Sequence, residues 1–422
     1  MANKYSQGFH TLMNEAGILS AKSFSLYIQD VIGFNNVQKL DLTGFTWDEY
    51  SSLTFDFNAL MVSNRVKVMA TYVDKDSEAI PLGTEGFEMT RGVIPCMKAR
   101  FIWDQDDYRN YLDAVSKLDF QNKTAKQYAL DLLFNGMTDM KVAHELSMSY
   151  QRDQVVSNRK LVLDATNNPR GIKGLVFETN VPEENIVTLA YAKSWFTSAT
   201  EKDAEHVNSS ADPVQDTREI IRKMKRKGYE DIKVEVDYIS FLEDMDHPKW
   251  RTAFGYKMRP DLVLAANNDA NALAVGKTAD DDELKALYAK CIGVPAENVI
   301  FRKGVVGVER LQGKGVDAKL QRTTLRTFNA NTYVFYPAGP LGTIKSALAL
   351  TPDDKAIYAK FFGDRGLIQY DYDVKAKIQD WWSELYALCV LTRPKEMFYL
   401  ITYSDPSGST PSGEGSNNGE GA

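Results

Sequence analysis

The chain has few of the residues that build redox or metal sites. Its 422 residues include three cysteines and four histidines. Cys96, Cys291 and Cys389 are far apart and form no CxxC pair, which argues against a disulfide framework or a zinc site and favours buried free thiols. No histidine lies in an HExxH or HxH pattern, so we expect no metal and no cofactor. No apolar run approaches the roughly 20 residues that cross a bilayer.

Recognisable catalytic motifs are also lacking. The sequence holds no GxSxG nucleophile motif. The glycine-rich segment 304–315 does not fit a phosphate-binding loop, because five residues rather than four separate Gly307 from Gly313-Lys314. In addition, Gly315 stands where a serine or threonine would hold magnesium. We interpret the segment as a loop at the end of a domain, and we expect no enzymatic activity.

Charge and length limit the class of protein. The net charge of −7 argues against a dedicated nucleic-acid binder, although it permits a local basic face. A chain of this length with 44% apolar and 25% charged residues is expected to form two or more soluble sub-domains. Met1-Ala2-Asn3-Lys4 is not followed by an apolar core, so we expect no signal peptide and synthesis in a reducing cytoplasm.

The first 160 residues predict an arm, a hairpin and a helix. Segment 1–60 contains an aromatic-rich stretch, but its apolar clusters are short and separated by polar residues, so it cannot easily form its own core. We expect an arm that packs on the rest of the protein or on a neighbour. Segment 65–103 predicts a long β-hairpin with a polar end, because apolar residues alternate on both sides of that end. Helical spacing then runs to residue 160, with an expected break near Asp119-Phe120 and a weak point at Gly136.

The middle third contains the best-defined block. Trp195 precedes a polar stretch, and Asp212-Pro213 opens a helix as its cap and first residue. Gly228 ends that helix. A strand at 231–236 and a short helical run ending in His247-Pro248 follow. Alternation of strands and helices predicts an α/β sub-domain between about 190 and 380.

The helix at 217–227 is strongly basic, since Glu219 is its only acid. A solvated face with cations near the helix C-terminus accounts for this pattern. A face that meets acids of an adjacent subunit, or the phosphates of DNA, accounts for it as well, and DNA contact would be independent of sequence and sensitive to salt. The candidate residues are Arg218, Arg222, Lys223, Lys225, Arg226 and Lys227.

The order of these parts resembles tailed-phage major capsid proteins of the HK97-like fold, the lambda-like family in particular. The matching residues are Trp195, Asp212-Pro213, Asp216, Gly228, His247-Pro248, Ala79-Ile80-Pro81-Leu82, Ile94-Pro95, Trp103-Asp104 and Val334-Phe335-Tyr336-Pro337. The resemblance implies an α+β fold with an N-terminal arm (1–60), an extended E-loop hairpin (61–103), a P-domain with a long spine helix (104–190, completed by about 381–403) and an α/β A-domain (191–380). Composition predicts a disordered tail at 404–422.

The resemblance implies a structural subunit that self-assembles, as hexamers and pentamers, into an icosahedral phage head around double-stranded DNA. Implied partners are further copies of the chain, DNA bound non-specifically, a separate scaffolding protein, a portal and, as a further candidate, decoration proteins, with no membrane. The location is the virion, after assembly in the host bacterial cytoplasm. Loops near 304–315 or 337–342 are expected at a local symmetry axis. Candidate contacts at the end of the E-loop are Lys75, Glu85, Glu88 and Arg91.

Two alternatives stay open from the sequence. An encapsulin-type nanocompartment has the same fold and would be distinguished by a cargo-binding site. An α/β enzyme acting on sugars or nucleotides belongs to a different class and would be distinguished by turnover.

Deleting residues 74–90 tests the hairpin. The deletion is expected to leave a soluble subunit that forms no shells, because the hairpin should reach over a neighbouring subunit. Negative-stain electron microscopy of the purified variant beside the full chain makes the measurement. Normal shells from the shortened chain would refute the role of the hairpin.

Overall fold

A computed structural model describes residues 41–61, 88–103, 109, 123–261, 268–312, 319–350, 357–363, 365–373 and 378–405. It divides into two compact units. Unit 1 comprises 1–58, 91–149 and 343–390, and unit 2 comprises 59–90, 150–342 and 391–422. Most of the predicted arm, the ascending hairpin strand with its end, the predicted helix break at 119–120, the predicted strand at 262–264 and most of the tail lie outside the described residues.

The described residues form seventeen strands and six α-helices. The strands are β1 (Phe45–Trp47), β2 (Asp56–Met61), β3 (Glu88–Val93), β4 (Cys96–Trp103), β5 (Lys160–Leu163), β6 (Leu175–Glu178), β7 (Ile186–Thr188), β8 (Ile232–Asp237), β9 (Val299–Arg302), β10 (Val305–Gln312), β11 (Lys319–Arg326), β12 (Thr332–Pro337), β13 (Gly342–Ser346), β14 (Ile357–Phe361), β15 (Gly366–Asp373), β16 (Ile378–Leu391) and β17 (Phe398–Ile401). The helices are α1 (Lys123–Ser157), α2 (Pro213–Arg226), α3 (Tyr238–Met245), α4 (Pro248–Met258), α5 (Asn268–Gly276) and α6 (Asp281–Ile292).

Unit 1 is built around β16. Its sheet has the order β1-β13-β16-β15-β14, and β4 also pairs with β16. The first part of α1 belongs to the same unit, where the buried His144 ring lies 2.8 Å from the Ser383 hydroxyl of β16. Segment 343–380, predicted as part of the A-domain, therefore lies in unit 1, because β14 and β15 extend the sheet of β16.

Unit 2 is a mixed sheet covered by helices. The strand order is β7-β17-β12-β8-β9, in which β12 runs antiparallel to both of its neighbours. The outer pairs β17–β7 and β8–β9 are parallel. An aromatic cluster that is fully shielded from solvent forms the core between sheet and helices: Trp195, Phe241, Trp250, Tyr288 and Tyr333. Two further hairpins, β5–β6 and β10–β11, belong to this unit.

Helix α2 matches its sequence signals. The Gln215 backbone N–H donates to the Asp212 carboxylate at 3.1 Å, so Asp212 caps the helix and Pro213 begins it. Gly228 follows the helix with φ +86°, a conformation that favours glycine. The whole predicted apolar face is buried: Val214, Thr217, Ile220, Ile221 and Met224.

Two helix predictions are corrected. Helix α1 runs unbroken through Gly136, where the sequence predicted a weak point. One glycine costs only about 1 kcal/mol of helix propensity, which a helix of 35 residues tolerates. The run predicted to end in His247-Pro248 is two helices, because α3 ends at Met245 and His247 caps α4. A proline lacks the N–H that the first helical turn leaves unused, so His247-Pro248 begins a helix.

The base of the predicted hairpin is formed by β2 and β3, which pair with each other. The hairpin therefore starts before the predicted residue 61, and β2 buries Phe57, Ala59 and Met61 in alternation. The return segment divides at Ile94-Pro95, after which β4 pairs with β16 instead. A proline cannot donate to a strand ladder, which explains a change of partner at this point.

Helices α4 and α5 approach closely at glycine. A methyl group on Gly255 would lie 1.8 Å from the Ala272 carbonyl oxygen. Backbone atoms cannot move aside as a flexible side chain can, so only glycine fits at this position of α4.

Replacing Gly255 by alanine is expected to destabilise unit 2. Alanine gains about 1 kcal/mol in helix propensity. A contact of 1.8 Å with backbone places the overpacking cost at the upper end of its usual range, about 3 kcal/mol, so the net effect is a loss of roughly 2 kcal/mol. Urea unfolding measures the change. Gly307→Ala is the control, because no atom lies within 4 Å of the added methyl group there. Equal stability of both variants would contradict the close contact.

Candidate interaction surfaces

Trp195 connects the parts of the sequence block around it. Its indole Nε1 donates to the Asp216 carboxylate, 21 residues away, at 2.9 Å. Its ring packs edge-on against the Trp250 ring, and its ring centre lies 5.4 Å from that of Tyr333. Burial raises the pKa of Asp216, and the hydrogen bond from the indole opposes that rise. The tryptophan and the acid of the predicted block therefore meet in the core of unit 2.

The polar stretch after Trp195 is anchored by a buried ion pair. Lys202 Nζ lies 2.7 Å from Asp244 Oδ1, and both side chains are almost completely buried. The Tyr333 hydroxyl donates to the other oxygen of Asp244 at 2.9 Å. Burial raises the pKa of the Asp244 carboxyl, although Lys202 and Tyr333 counteract it. Sequence reasoning missed this pair, because a single lysine within a polar segment carries no local signal.

A second buried network joins the end of α1 to the sheet. The Arg152 guanidinium binds both oxygens of Glu235 on β8 at 2.6 Å, and the Tyr336 hydroxyl donates to Glu235 at 2.5 Å. Arg302 of β9 pairs with Asp153 at 2.7 Å. Burial would raise the pKa of Glu235, but the charge and hydrogen bonds of Arg152 lower it. The groups are shielded from solvent, so they hold geometry and are not placed to act on a substrate.

The basic residues of α2 divide into two sets. Arg218 Nε donates to the Cys291 carbonyl at 2.8 Å, and Lys227 pairs with Glu184 at 2.8 Å. Lys223 donates to the Glu184 carbonyl and, like Lys227, stands over the Phe398 ring. These three cations are half-buried and used within the unit.

The other three cations of α2, Arg222, Lys225 and Arg226, are exposed. None of them forms an ion pair with any residue that the structure describes. Residues three and four apart lie on the same side of a helix, so these side chains form one surface, here named the basic face.

The remaining candidates are the E-loop residues and two loops expected at a local symmetry axis. Glu88 and Arg91 are in β3, where Arg91 is exposed, whereas Lys75 and Glu85 lie outside the described residues. The glycine-rich segment forms the β10–β11 hairpin, whose turn at 313–318 also lies outside them. Segment 337–342 joins β12 to β13.

The described residues contain neither a metal cluster nor a membrane-spanning helix. Among the described residues, no group of three or more His, Cys, Asp or Glu side chains could hold a metal ion. No helix in the described ranges is both long enough and apolar enough to cross a membrane. None of the three cysteines forms a disulfide. Cys291 and Cys389 are buried as predicted, whereas Cys96, which was also expected to be buried, is half-buried.

The comparison with family models decides the class of protein. The model described as phage major capsid protein E matches residues 35–401. The chain belongs to this family. No curated protein matches the chain.

This capsid protein is similar to several solved shell structures. A prophage capsid protein of E. coli CFT073 shares 12% identity, with 89% of this chain and 98% of that chain covered and a TM-score of 0.47. The mature capsid of bacteriophage PhiM1 shares 12% identity, with 86% of this chain and 87% of that chain covered and a TM-score of 0.37. An encapsulin complex of Synechococcus elongatus PCC 7942 shares 9% identity, with 85% of each chain covered and a TM-score of 0.36.

Family membership confirms the predicted resemblance, the α+β capsid fold and the structural role. The protein is a shell-forming subunit of a phage virion, which favours the phage capsid over the encapsulin-type shell and the enzyme. Membership also implies assembly with further copies of the same chain.

Two histidines of unit 2 have opposite environments. His247 is buried, its Nδ1 accepts the Lys249 backbone N–H at 3.2 Å, and burial lowers its pKa to about 4. His206 Nδ1 lies 2.6 Å from Asp203, and this hydrogen bond raises the pKa of His206. The two groups should therefore change stability in opposite directions with pH.

Replacing His247 by asparagine tests this. Below pH 6.5 His247 becomes protonated in the unfolded chain, whereas in the folded chain it becomes protonated only near pH 4. The neutral His247 side chain therefore contributes up to roughly 3 kcal/mol to the free energy of unfolding. This contribution is present above pH 6.5 and is lost as the pH falls towards 4. Asparagine still caps a helix, so the variant should unfold in urea with a flatter pH dependence in this window.

His206→Asn is the matched control. The raised pKa of His206 gives a contribution that is full below pH 6.5 and lost as pH rises through the folded pKa. This variant should change the pH dependence above pH 6.5 and leave the acid window as in wild type. Burial also lowers the pKa of His144 to about 4, so part of the acid dependence should remain in His247→Asn. An entirely unaltered acid window would show that His247 does not contribute to it.

Proposed function

We propose that this subunit self-assembles into an icosahedral phage head that encloses double-stranded DNA. The observation that carries the proposal is the match to a phage major capsid family across 35–401. A closed shell needs only a few interfaces that are repeated by symmetry, so each contact can be weak. Shells roughly tens of nanometres wide in electron micrographs of purified protein test the proposal, whereas monomers that turn over a sugar or nucleotide would contradict it.

The subunit acts through contact geometry and not through catalysis. The strongest clusters of ionisable groups in the described residues, around Glu235 and Asp244, are closed off from solvent and satisfied by their partners. This supports a structural role for them. We assign the E-loop contact with a neighbouring subunit to segment 61–103. Among its candidate contact residues, Arg91 is described by the structure and is exposed.

The basic face of α2 supports contact with packaged DNA. The net charge of the chain is −7, so a surface of three cations that form no ion pair with a described residue stands out against an acidic background. Such a surface binds phosphates without reading sequence, as a container for a whole genome requires. Arg218, Lys223 and Lys227 are assigned to the unit itself, because they bind Cys291, Glu184 and the Phe398 ring.

Further partners follow from the same proposal. Head assembly takes place in the host cytoplasm with a separate scaffolding protein, and a portal and decoration proteins complete the particle. Co-expression with candidate scaffolds and electron microscopy of the products would identify the scaffold.

Neutralising Arg222, Lys225 and Arg226 together by glutamine tests the basic face. Folding should be retained, because exposed side chains away from core contacts change stability by only about 0.5 kcal/mol each. Binding of a DNA duplex, measured by fluorescence anisotropy at several salt concentrations, should weaken. The slope of log K against log salt should become shallower by about 3, close to 0.9 for each phosphate that the protein no longer neutralises.

The control variant replaces Lys257, Lys277 and Lys290, exposed lysines elsewhere on unit 2, by glutamine. It removes the same charge but should keep the wild-type slope. An unchanged slope in the α2 variant would refute DNA contact, and an unfolded α2 variant would show that the face is structural.

A further inference from the structure

The turn at 164–174, which joins β5 to β6, is held by hydrogen bonds of its own side chains and by two to residues outside it. Arg310 donates to the Thr166 carbonyl at 3.2 Å, and Asn167 Nδ2 donates to the Tyr150 hydroxyl at 3.1 Å. The Asp164 carboxylate accepts the backbone N–H groups of Thr166 at 2.7 Å and Asn167 at 3.0 Å. Asn167 Nδ2 donates to the Val162 carbonyl at 2.7 Å, and Asn168 Nδ2 donates to the Ile172 carbonyl at 2.9 Å. A turn that is ordered beforehand loses little entropy when it binds a partner.

This turn presents an apolar side chain to solvent between two cations. Ile172 is 64% exposed, and Arg170 and Lys173 on either side of it are exposed as well. Arg170 reaches Glu309 only at 3.5 Å, and Lys173 has no ion pair among the described residues. Val176, which follows on β6, is also more than half exposed. The turn is therefore an apolar projection with basic flanks.

Unit 1 has an exposed apolar surface. Segment 50–55 is held beside segment 346–350, since the Ser52 N–H donates to the Ser346 carbonyl at 2.7 Å and the Leu348 N–H to the Ser52 carbonyl at 2.9 Å. On its other side, the Ile94 N–H donates to the Phe55 carbonyl at 2.7 Å. These three segments carry large apolar side chains that are each more than half exposed, here named the apolar patch: Tyr50, Leu53, Phe55, Val93 and Leu350.

Two acids flank the apolar patch. Glu49 and Asp56 are exposed, and neither forms an ion pair with a residue in the described ranges. Several large apolar side chains exposed together mark an interaction site more often than a free surface. Among the described residues, Glu49 and Asp56 outnumber the one exposed cation near Val93, Arg91, so the site favours a partner that is apolar and basic. The turn at 164–174 has both properties.

We propose that the turn at 164–174 of one copy docks on the apolar patch of a second copy. Ile172 covers apolar side chains of the patch, while Arg170 and Lys173 meet Glu49 and Asp56. The contact joins two different surfaces, so each chain offers one free surface of each kind to the next chain, as a ring of subunits requires. The proposal rests on self-assembly into a shell and adds one specific contact to it.

Cysteine cross-linking tests the contact. The full chain carrying Leu53→Cys and Ile172→Cys is assembled and then oxidised, and the products are separated by non-reducing gel electrophoresis. We expect a ladder of covalently joined chains from the double variant. Neither single variant should give more than dimers, and Leu53→Cys with Glu201→Cys, at an exposed position on another loop, should give no ladder.

The outcomes separate this proposal from shell formation itself. Shells from the double variant without a ladder would overturn the contact and leave the shell function standing, whereas wild-type chain that forms no shells would contradict the function first. If the double variant does not assemble, charge reversal replaces it. Lys173→Asp should reduce shell yield at least tenfold, and adding Asp56→Lys should restore it. Failure of Asp56→Lys to restore assembly would overturn the pairing.

Discussion

Unit 2 depends on the ion pair between Arg152 and Glu235. Both side chains are completely buried, and removing either partner would leave an uncompensated charge in the core, which costs about 3–5 kcal/mol. The end of α1 can therefore occupy only the position in which its guanidinium faces β8. Since β8 lies between β12 and β9, the same contact fixes the helix against the middle of the sheet. Tyr336 and Arg302 complete the network from those two neighbours.

Ionisable groups have two separate uses in this chain. Those in the core, such as Lys202 with Asp244, are paired and satisfied, so they define one arrangement of loops and helices. Those on the basic face of α2 and beside the apolar patch have no partner within the described residues. This division suits the proposed shell subunit, because the paired groups keep its interior unchanged while the exposed groups are available to other copies or to DNA.

The sequence predicted what is decided locally. Helix α2 was predicted with its cap, its apolar face and its end, because Asp212, Pro213 and Gly228 act through their own backbone positions. The sequence did not predict Arg152 with Glu235, since the two residues are 83 positions apart and neither has a local signal. At Gly136 a local preference did not decide the structure, because the 35-residue helix α1 continues through it. Of the six basic candidates on α2, spacing alone could not separate the three that turn inwards.

The two surfaces of the proposed contact differ in how they are built, and this difference bears on assembly. The turn at 164–174 is fixed by side-chain hydrogen bonds, so its isoleucine is already in place before a partner arrives. The apolar patch is instead assembled from three segments that are distant in sequence, and it exists only after β16 has gathered the sheet of unit 1. The receptor surface therefore forms only when these three segments have come together. Self-association through this contact would follow the folding of unit 1, which protects a chain made in many copies from premature aggregation.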